Sequence, residues 1–353
     1  MKRNLCSMYV GMSSARVLTL VGTLLGGCSG SGNTATMIEV DAAMPPSFDM
    51  GMIASFHLIP DTGQTTSYTN TPGEDSDYLI NPQQFVDKGD GTVSESVTGL
   101  LWQKVDGGEM TFESAQAYVK SLSLGGKTGW RLPTPQEAIQ LLNHDANNPA
   151  IDTKFFPASA AEYYWTSDTQ VGDATRVWVT NVGGGLGPHP KTETISAGGT
   201  HRFHVRAVYG SITPGHSFVD GGNGTITDMT SGLVWQQADS GVLTWDAGLR
   251  YAEGLSLAGF DDWRMPNVKE LQSLSELGQT TTPQISKTFF PAAKAMAYWS
   301  STTLKQGGST TSAWVVEFGV NTTSNPPRGQ PGIVSYDLKT LQYPVRCVRG
   351  PVQ

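Results

Sequence analysis

Cysteine is nearly absent from this sequence: 353 residues hold three, Cys6, Cys28 and Cys347. Charge is scarce as well. Asp, Glu, Lys and Arg make up 15% of the chain, too few for a coiled coil or a charged tail. Basic residues are in deficit, 23 against 31 acidic, for a net charge of −8. That balance argues against a general binder of nucleic acid or anionic membrane. No apolar run reaches the roughly 20 residues that cross a bilayer as a helix, and no glycine-rich phosphate loop occurs. What is present is core-forming material, 38% hydrophobic and 9% aromatic, set among 41 Gly and 20 Pro. Such a chain folds through many turns and short elements rather than long helices. Its length suggests two domains.

The N-terminus reads as an address. Lys2, Arg3 and Arg16 accompany an apolar run, Val17 to Leu25, followed by Gly26-Gly27-Cys28. A basic start, a short apolar stretch and small residues describe a secretory signal, with Met1, Met8 or Met12 as its start. Leu25-Gly26-Gly27-Cys28 resembles a bacterial lipobox. The resemblance implies a signal peptide over 1–27, cleavage before Cys28 and lipidation of that residue. An ordinary signal peptide with an incidental Cys is the alternative. Ser29 favours the outer membrane, so the expected place is the bacterial cell envelope, with a lipid anchor into the membrane. The mature chain carries 20 basic and 31 acidic residues, net −11, and retains only Cys28 and Cys347. With Cys28 lipidated, Cys347 has no disulfide partner. Residues 28–57, rich first in Gly, Ser and Thr and then in Met and Pro, read as a flexible tether.

Beyond the tether the chain repeats itself. Phe85-Val86-Asp87 returns as Phe218-Val219-Asp220, Thr98-Gly99-Leu100-Leu101-Trp102 as Ser231-Gly232-Leu233-Val234-Trp235, and Trp130-Arg131-Leu132-Pro133 as Trp263-Arg264-Met265-Pro266, all offset by 133. Tyr164-Trp165 returns as Tyr298-Trp299 at 134, Trp178-Val179 as Trp314-Val315 at 136, and Val205-Arg206 as Val345-Arg346 at 140. A period this long means tandem domains, not a solenoid. The expected domains are 58–210, including a polar lead-in, and 211–353. Each reads as a Gly/Asn-turned hairpin, a helix from Thr111 or Thr244, and a second helix opened by a capping signature. That signature is Thr134-Pro135-Gln136-Glu137 or Asn267-Val268-Lys269-Glu270. The expected fold is α+β: two tandem compact domains, each with short helices on a twisted antiparallel sheet.

These blocks, ending in Val345-Arg346-Cys347-Val348-Arg349-Gly350, resemble the Lcl C-terminal domain family over residues 60–350, in two copies. The family is found on secreted and surface bacterial proteins, most without an established activity. Its namesake is an adhesin that attaches to glycosaminoglycans. A mature charge of −11 would be repelled by such sulfated chains, so that ligand is not carried over. Many members pair a helix Cys with one in the last strand. Here Val119 and Ala252 face Ala207 and Cys347 in that scheme, so both bridges are lost and Cys347 is expected as a buried orphan. Trp130 to Glu137 also resembles a segment of formylglycine-generating enzymes, which implies a C-type-lectin-like topology. The activity does not transfer, because the cysteine pair is missing.

Candidate chemistry is thin. His201 and His204, three apart on a strand, point to opposite faces and cannot share a metal without a bulge, although His189 could join one of them; surface or packing roles are expected. The Asp/Gly turns at Asp87 and Asp220 lack oxygen ligands at the third and fifth positions of a calcium loop. The recurring Trp residues fit core packing better than sugar platforms. Arg131 and Arg264 are expected to pair with Glu137 and Glu270. Gly215-His216-Ser217-Phe218-Val219 lacks the closing Gly of a nucleophile elbow. The expectation is no enzyme, no metal and no cofactor. Function is expected where the copies diverge, in Asn181–Thr200 and Gly319–Thr340, which hold the candidate ligand-binding residues His189, Lys191, Arg328 and Tyr336. The expected role is non-catalytic surface recognition or adhesion toward a neutral glycan or a protein, with no nucleic acid. A structural or assembly lipoprotein of the envelope is the alternative. A degenerate relative of the formylglycine-generating enzymes comes third.

Overall fold

The Asp-x-Gly turns of the sequence fold as hairpins because their carboxylates hold the turn. Asp87 accepts from the Gly89 amide at 3.0 Å, and Asp220 from that of Gly222 at 2.8 Å. A computed structural model describes residues 56–157, 159, 162–181, 183–193, 203–323 and 330–351. The signal peptide, Cys28, most of the tether, Arg328 and His201 lie outside the described residues.

The first copy runs β1 (Phe85–Asp87), β2 (Thr92–Glu95), β3 (Leu101–Gln103), β4 (Glu109–Met110), α1 (Phe112–Ser121), α2 (Pro135–Gln140), β5 (Tyr163–Gln170), β6 (Asp173–Asn181), β7 (Leu186–Pro190), β8 (Phe203–His204) and β9 (Val208–Tyr209). The second runs β10 (Phe218–Asp220), β11 (Thr225–Asp228), β12 (Val234–Gln236), β13 (Val242–Leu243), α3 (Trp245–Glu253), α4 (Val268–Ser273), β14 (Ala297–Gln306), β15 (Ser309–Glu317), β16 (Val334–Leu338), β17 (Tyr343–Pro344) and β18 (Val348–Arg349). Both second helices open with the expected capping box, Thr134 with Glu137 and Asn267 with Glu270. The protein is mostly sheet, about 12% helical, in two tandem sheet-rich copies.

Each copy closes a small sheet, β1-β2-β3-β9 or β10-β11-β12-β18. The long strands join across the copies in one sheet ordered β14-β15-β16-β7-β6-β5-β8-β4. The join is the antiparallel pair Leu186–Val334. Leu186 lies opposite Thr180 on β6, and Val334 opposite Val316 on β15, so these are equivalent residues of the two copies. Equivalent residues facing each other antiparallel define a pseudo-twofold axis through that pair. The chain is therefore an internal dimer with an isologous interface. The equivalent helices α2 and α4 also pack together. One core crosses the axis, taking in Leu142, Trp178 and Leu186 from one side and Leu271, Trp314 and Val334 from the other.

The segments expected as loops thus contain the strands that weld the copies together. Two glycines make the weld possible. Gly184 has φ +113° and Gly332 has φ +84°. A Cβ on Gly184 would lie 2.5 Å from the Trp314 ring of the other copy, and one on Gly332 2.8 Å from Trp178. The two close approaches mirror each other across the axis.

The eight repeat-block Trp residues from Trp102 to Trp314 are core residues, as their recurrence suggested. Cys347 is free and fully buried in one cluster with Ala252, and Ala207 sits in one cluster with Val119.

The lead-in is a strap whose buried polar groups bind mainly the second copy. Thr302 Oγ1 and Thr62 Oγ1 each donate to Asp75 Oδ2 at 2.6 Å. The Thr303 amide donates to Gln64 Oε1 at 2.8 Å, and its hydroxyl to Glu74. Lys269 Nζ, fully buried, donates to the carbonyls of Asp61 at 2.7 Å and Gln140 at 2.9 Å. The first copy adds the His144 amide donating to the Thr62 carbonyl at 2.8 Å, Asp145 accepting from the Tyr68 hydroxyl at 3.2 Å and the Gln140 carbonyl accepting from Gln83 at 3.0 Å.

Candidate functional site

The weld leaves a groove of about 420 Å³ over β7 and β16. His189 and Tyr336, on the two divergent segments, both line it. Alternation along the strands explains their placement. Pro188 lies opposite Trp178 and Tyr336 opposite Trp314, so Tyr336 holds the place that Pro188 holds in the first copy. Tyr336 stays 42% exposed and meets Trp314 edge-on at 5.9 Å. The His189 ring lies 4.7 Å from that of Tyr163, and its Nδ1 is 2.9 Å from Glu193. Lys191 is not part of this wall; its ammonium sits over the Phe112 ring at 5.1 Å. Arg328 and Cys28 fall outside the described residues.

The groove is lined by amides and aromatic rings, with Arg176 as its one Lys or Arg among the described residues. Arg176 donates to the Pro188 carbonyl at 2.5 Å, while its Nε, the Trp314 Nε1 and the Asn147 Oδ1 are buried without a protein partner. Two donors and an acceptor without a protein partner thus lie beneath one groove, on residues that line it, and hydroxyls serve both ways.

Other polar clusters are built into the scaffold. Arg131 binds Glu137 with two bonds of 2.6 and 2.7 Å, and Arg264 binds Glu270 with two of 2.6 Å, as expected. The same carboxylates cap α2 and α4, so each pair ties a helix start to a strand. A second recurring trio was not recognised from sequence. Asp106, Tyr164 and Arg206 recur as Asp239, Tyr298 and Arg346 at offsets of 133, 134 and 140. Tyr164 donates to Asp106 at 2.6 Å and Tyr298 to Asp239 at 2.9 Å. Burial works to raise the Asp106 pKa, but the His204 ring 3.3 Å away and the bond from Tyr164 hold it down at about 2. His204 itself is raised, chiefly by its bond to Asp106. The recurrence of three polar residues at matched offsets was the signal available.

A larger cleft, about 550 Å³, lies between α2 of the first copy and β10, β11 and the end of α4 of the second. His216 stands in it, with Nδ1 2.8 Å from Asp228 and Nε2 2.5 Å from the Ser273 carbonyl, and Phe218 stacked on its ring at 4.6 Å. Burial opposes charge on His216, but the Asp228 carboxylate and the carbonyl outweigh it and raise its pKa. Both ring nitrogens face acceptors, so this imidazole holds a structure together and has no free lone pair with which to take a proton.

The sheet-rich duplicated architecture and the repeat blocks define a tandem-domain protein, and the sequence comparison agrees. Residues 91–209 and 224–349 each match the Lcl C-terminal domain, and the chain belongs to that family. No curated protein matches it.

Proposed function

We propose that this protein is a non-catalytic recognition module of the bacterial envelope, anchored by lipid at Cys28, that holds a neutral glycan in the groove over β7 and β16. One observation carries the reading. The two segments where the copies diverge converge on a single groove whose lining residues include buried hydrogen-bonding groups of both kinds without a protein partner. Amides satisfy hydroxyls, and the exposed Tyr336 ring offers a face to the C–H side of a sugar. The described lining residues hold one Arg and no Asp or Glu, and it is the mature net charge of −11 that weighs against a sulfated ligand. The C-type-lectin-like topology belongs to the same proposal. The test is an array of neutral glycans probed with the purified full chain in detergent. Saturable binding is expected, weakened about tenfold or more by Tyr336→Ala, a loss of the size typical of an aromatic anchor. Binding indifferent to Tyr336→Ala and to Arg176→Leu, or none at all, overturns the reading.

A further inference from the structure

The pseudo-twofold axis makes every cleft on one side a question about its partner on the other. The 550 Å³ cleft is lined by Gln136, Asp168, His216, Ser273, Glu276 and Phe289. Their equivalents in the repeat are Lys269, Thr302, Gln83, Gln140, Asn143 and Phe155. Those equivalents surround the docked strap. Lys269 grips the Asp61 and Gln140 carbonyls and Gln83, and Thr302 grips Asp75. Asn143 and Phe155 line the 380 Å³ left beside the strap, together with Asp61 and Thr62. One of two equivalent clefts is thus filled by an extended segment of the chain; the other is bordered by the start of that segment, His57 and Ile59, and keeps about 550 Å³ unfilled by the described residues.

The open cleft keeps the means to hold such a segment. Gln140 is 4% exposed, borders the cleft and leaves its Oε1 without a protein partner; Ser275 Oγ is likewise buried and unpaired there. Its charge differs from that of the filled cleft. Gln136 replaces Lys269, Asp168 replaces Thr302 and Glu276 replaces Asn143, while Ser286 replaces Asp152. The net change over these four positions is two units more negative. His216, where the first copy has Gln83, returns one unit when protonated, since its partner Asp228 is matched by Glu95, so the cleft stays at least one unit more negative; neither Asp168 nor Glu276 forms an ion pair among the described residues. The filled cleft uses a lysine to take a strap bearing Asp61, Glu74 and Asp75. The open one has exchanged that lysine for carboxylates.

We propose that the open cleft docks an extended segment of a partner protein bearing Lys or Arg, in the place the strap takes on the opposite side. This goes beyond glycan recognition and uses a different surface, so either can fail without the other.

The test is fluorescence anisotropy with the full chain at 150 mM salt. The probes are two labelled 12-residue peptides, one alternating Lys and Thr, the other Glu and Thr. Saturable binding of the Lys peptide is expected, with the Glu peptide at least about tenfold weaker. Asp168→Asn with Glu276→Gln should cost about tenfold, while Asp173→Asn, at the exposed β5–β6 turn, changes nothing. Gln136→Lys, which restores the cation of the filled cleft, should narrow the preference. Equal binding of both peptides, no binding, or a Lys-peptide affinity untouched by the double variant overturns the proposal. Preference for the Glu peptide also overturns it, and points to the strap of a second copy.

Discussion

Asp75 holds the strap to the second copy, and its ionisation sets a pH dependence that a single substitution removes. The side chain is 2% exposed and accepts hydroxyls from Thr62 and Thr302. Burial, with the Asp61 charge added, raises its pKa from 3.8 to about 7. A carboxylate raised by folding keeps its proton in the native state, so ionising it costs stability. The cost is absent below the unfolded value of 3.8, grows as pH climbs and is complete above about 7. From pH 5 to pH 8 the remaining window is about 2 pK units, which at about 1.36 kcal/mol per unit is roughly 2–3 kcal/mol. Asp75→Asn keeps an acceptor for both threonines and has no charge to bury. Lys269, lowered to about 8 by its own burial, is present in both proteins and cancels to first order in the comparison. Thermal unfolding of the two proteins across this range is the assay. For a unit of this size about 2 °C per kcal/mol is expected, so the wild type should lose about 5 °C more than the variant between pH 5 and pH 8. Parallel profiles would refute the reasoning, because they would mean that Asp75 titrates as it does in the unfolded chain.

His216→Gln places in the second copy the residue that the first has at Gln83. The raised histidine contributes stability in full below its unfolded pKa and loses it as pH rises through the folded one, so the wild type should exceed the variant in urea unfolding at pH 5.5 and approach it at pH 9. Gly332→Ala sets a methyl 2.8 Å from the Trp178 ring in a left-handed backbone conformation, and should cost about 2–4 kcal/mol in the same assay.

What could be read from the sequence was local or repeated. The capping boxes at Thr134 and Asn267 involve residues three apart, and the Arg–Glu pairs residues six apart. Recurrence of Trp165 and Trp299 at matched positions separated scaffold from surface. The weld was hidden because Leu186-Gly187-Pro188 and Val334-Ser335-Tyr336 share no pattern; strand pairing is set by register between distant segments, and no local feature announces it. The strap was hidden for a different reason. Gln64, Glu74 and Asp75 read as turn residues, and partners more than 200 positions away, Thr302 and Thr303, make them core. The candidate site was half legible. Divergence between the copies pointed to the segments bearing His189 and Tyr336, but not to the groove that joins them, nor to Arg176 and Trp314 on its walls.

The duplication explains why function should sit at the places where symmetry is broken. Two equal copies around a twofold axis present two equal clefts, and anything that filled both would leave the surface featureless. The strap precedes the first copy and has no counterpart before the second, where Gly210 to Ser217 alone links β9 to β10. Its residues from Asp61 to Asp75 fill one cleft, while, among its described residues, only His57 and Ile59 border the other. The equivalent positions thus come under different demands. Lys269 must neutralise a buried acidic segment, whereas Gln136 faces an open cleft and is released from that task. The same holds at the axis, where Pro188 and Tyr336 occupy equivalent places and only the tyrosine offers a ring beside open hydrogen-bonding groups.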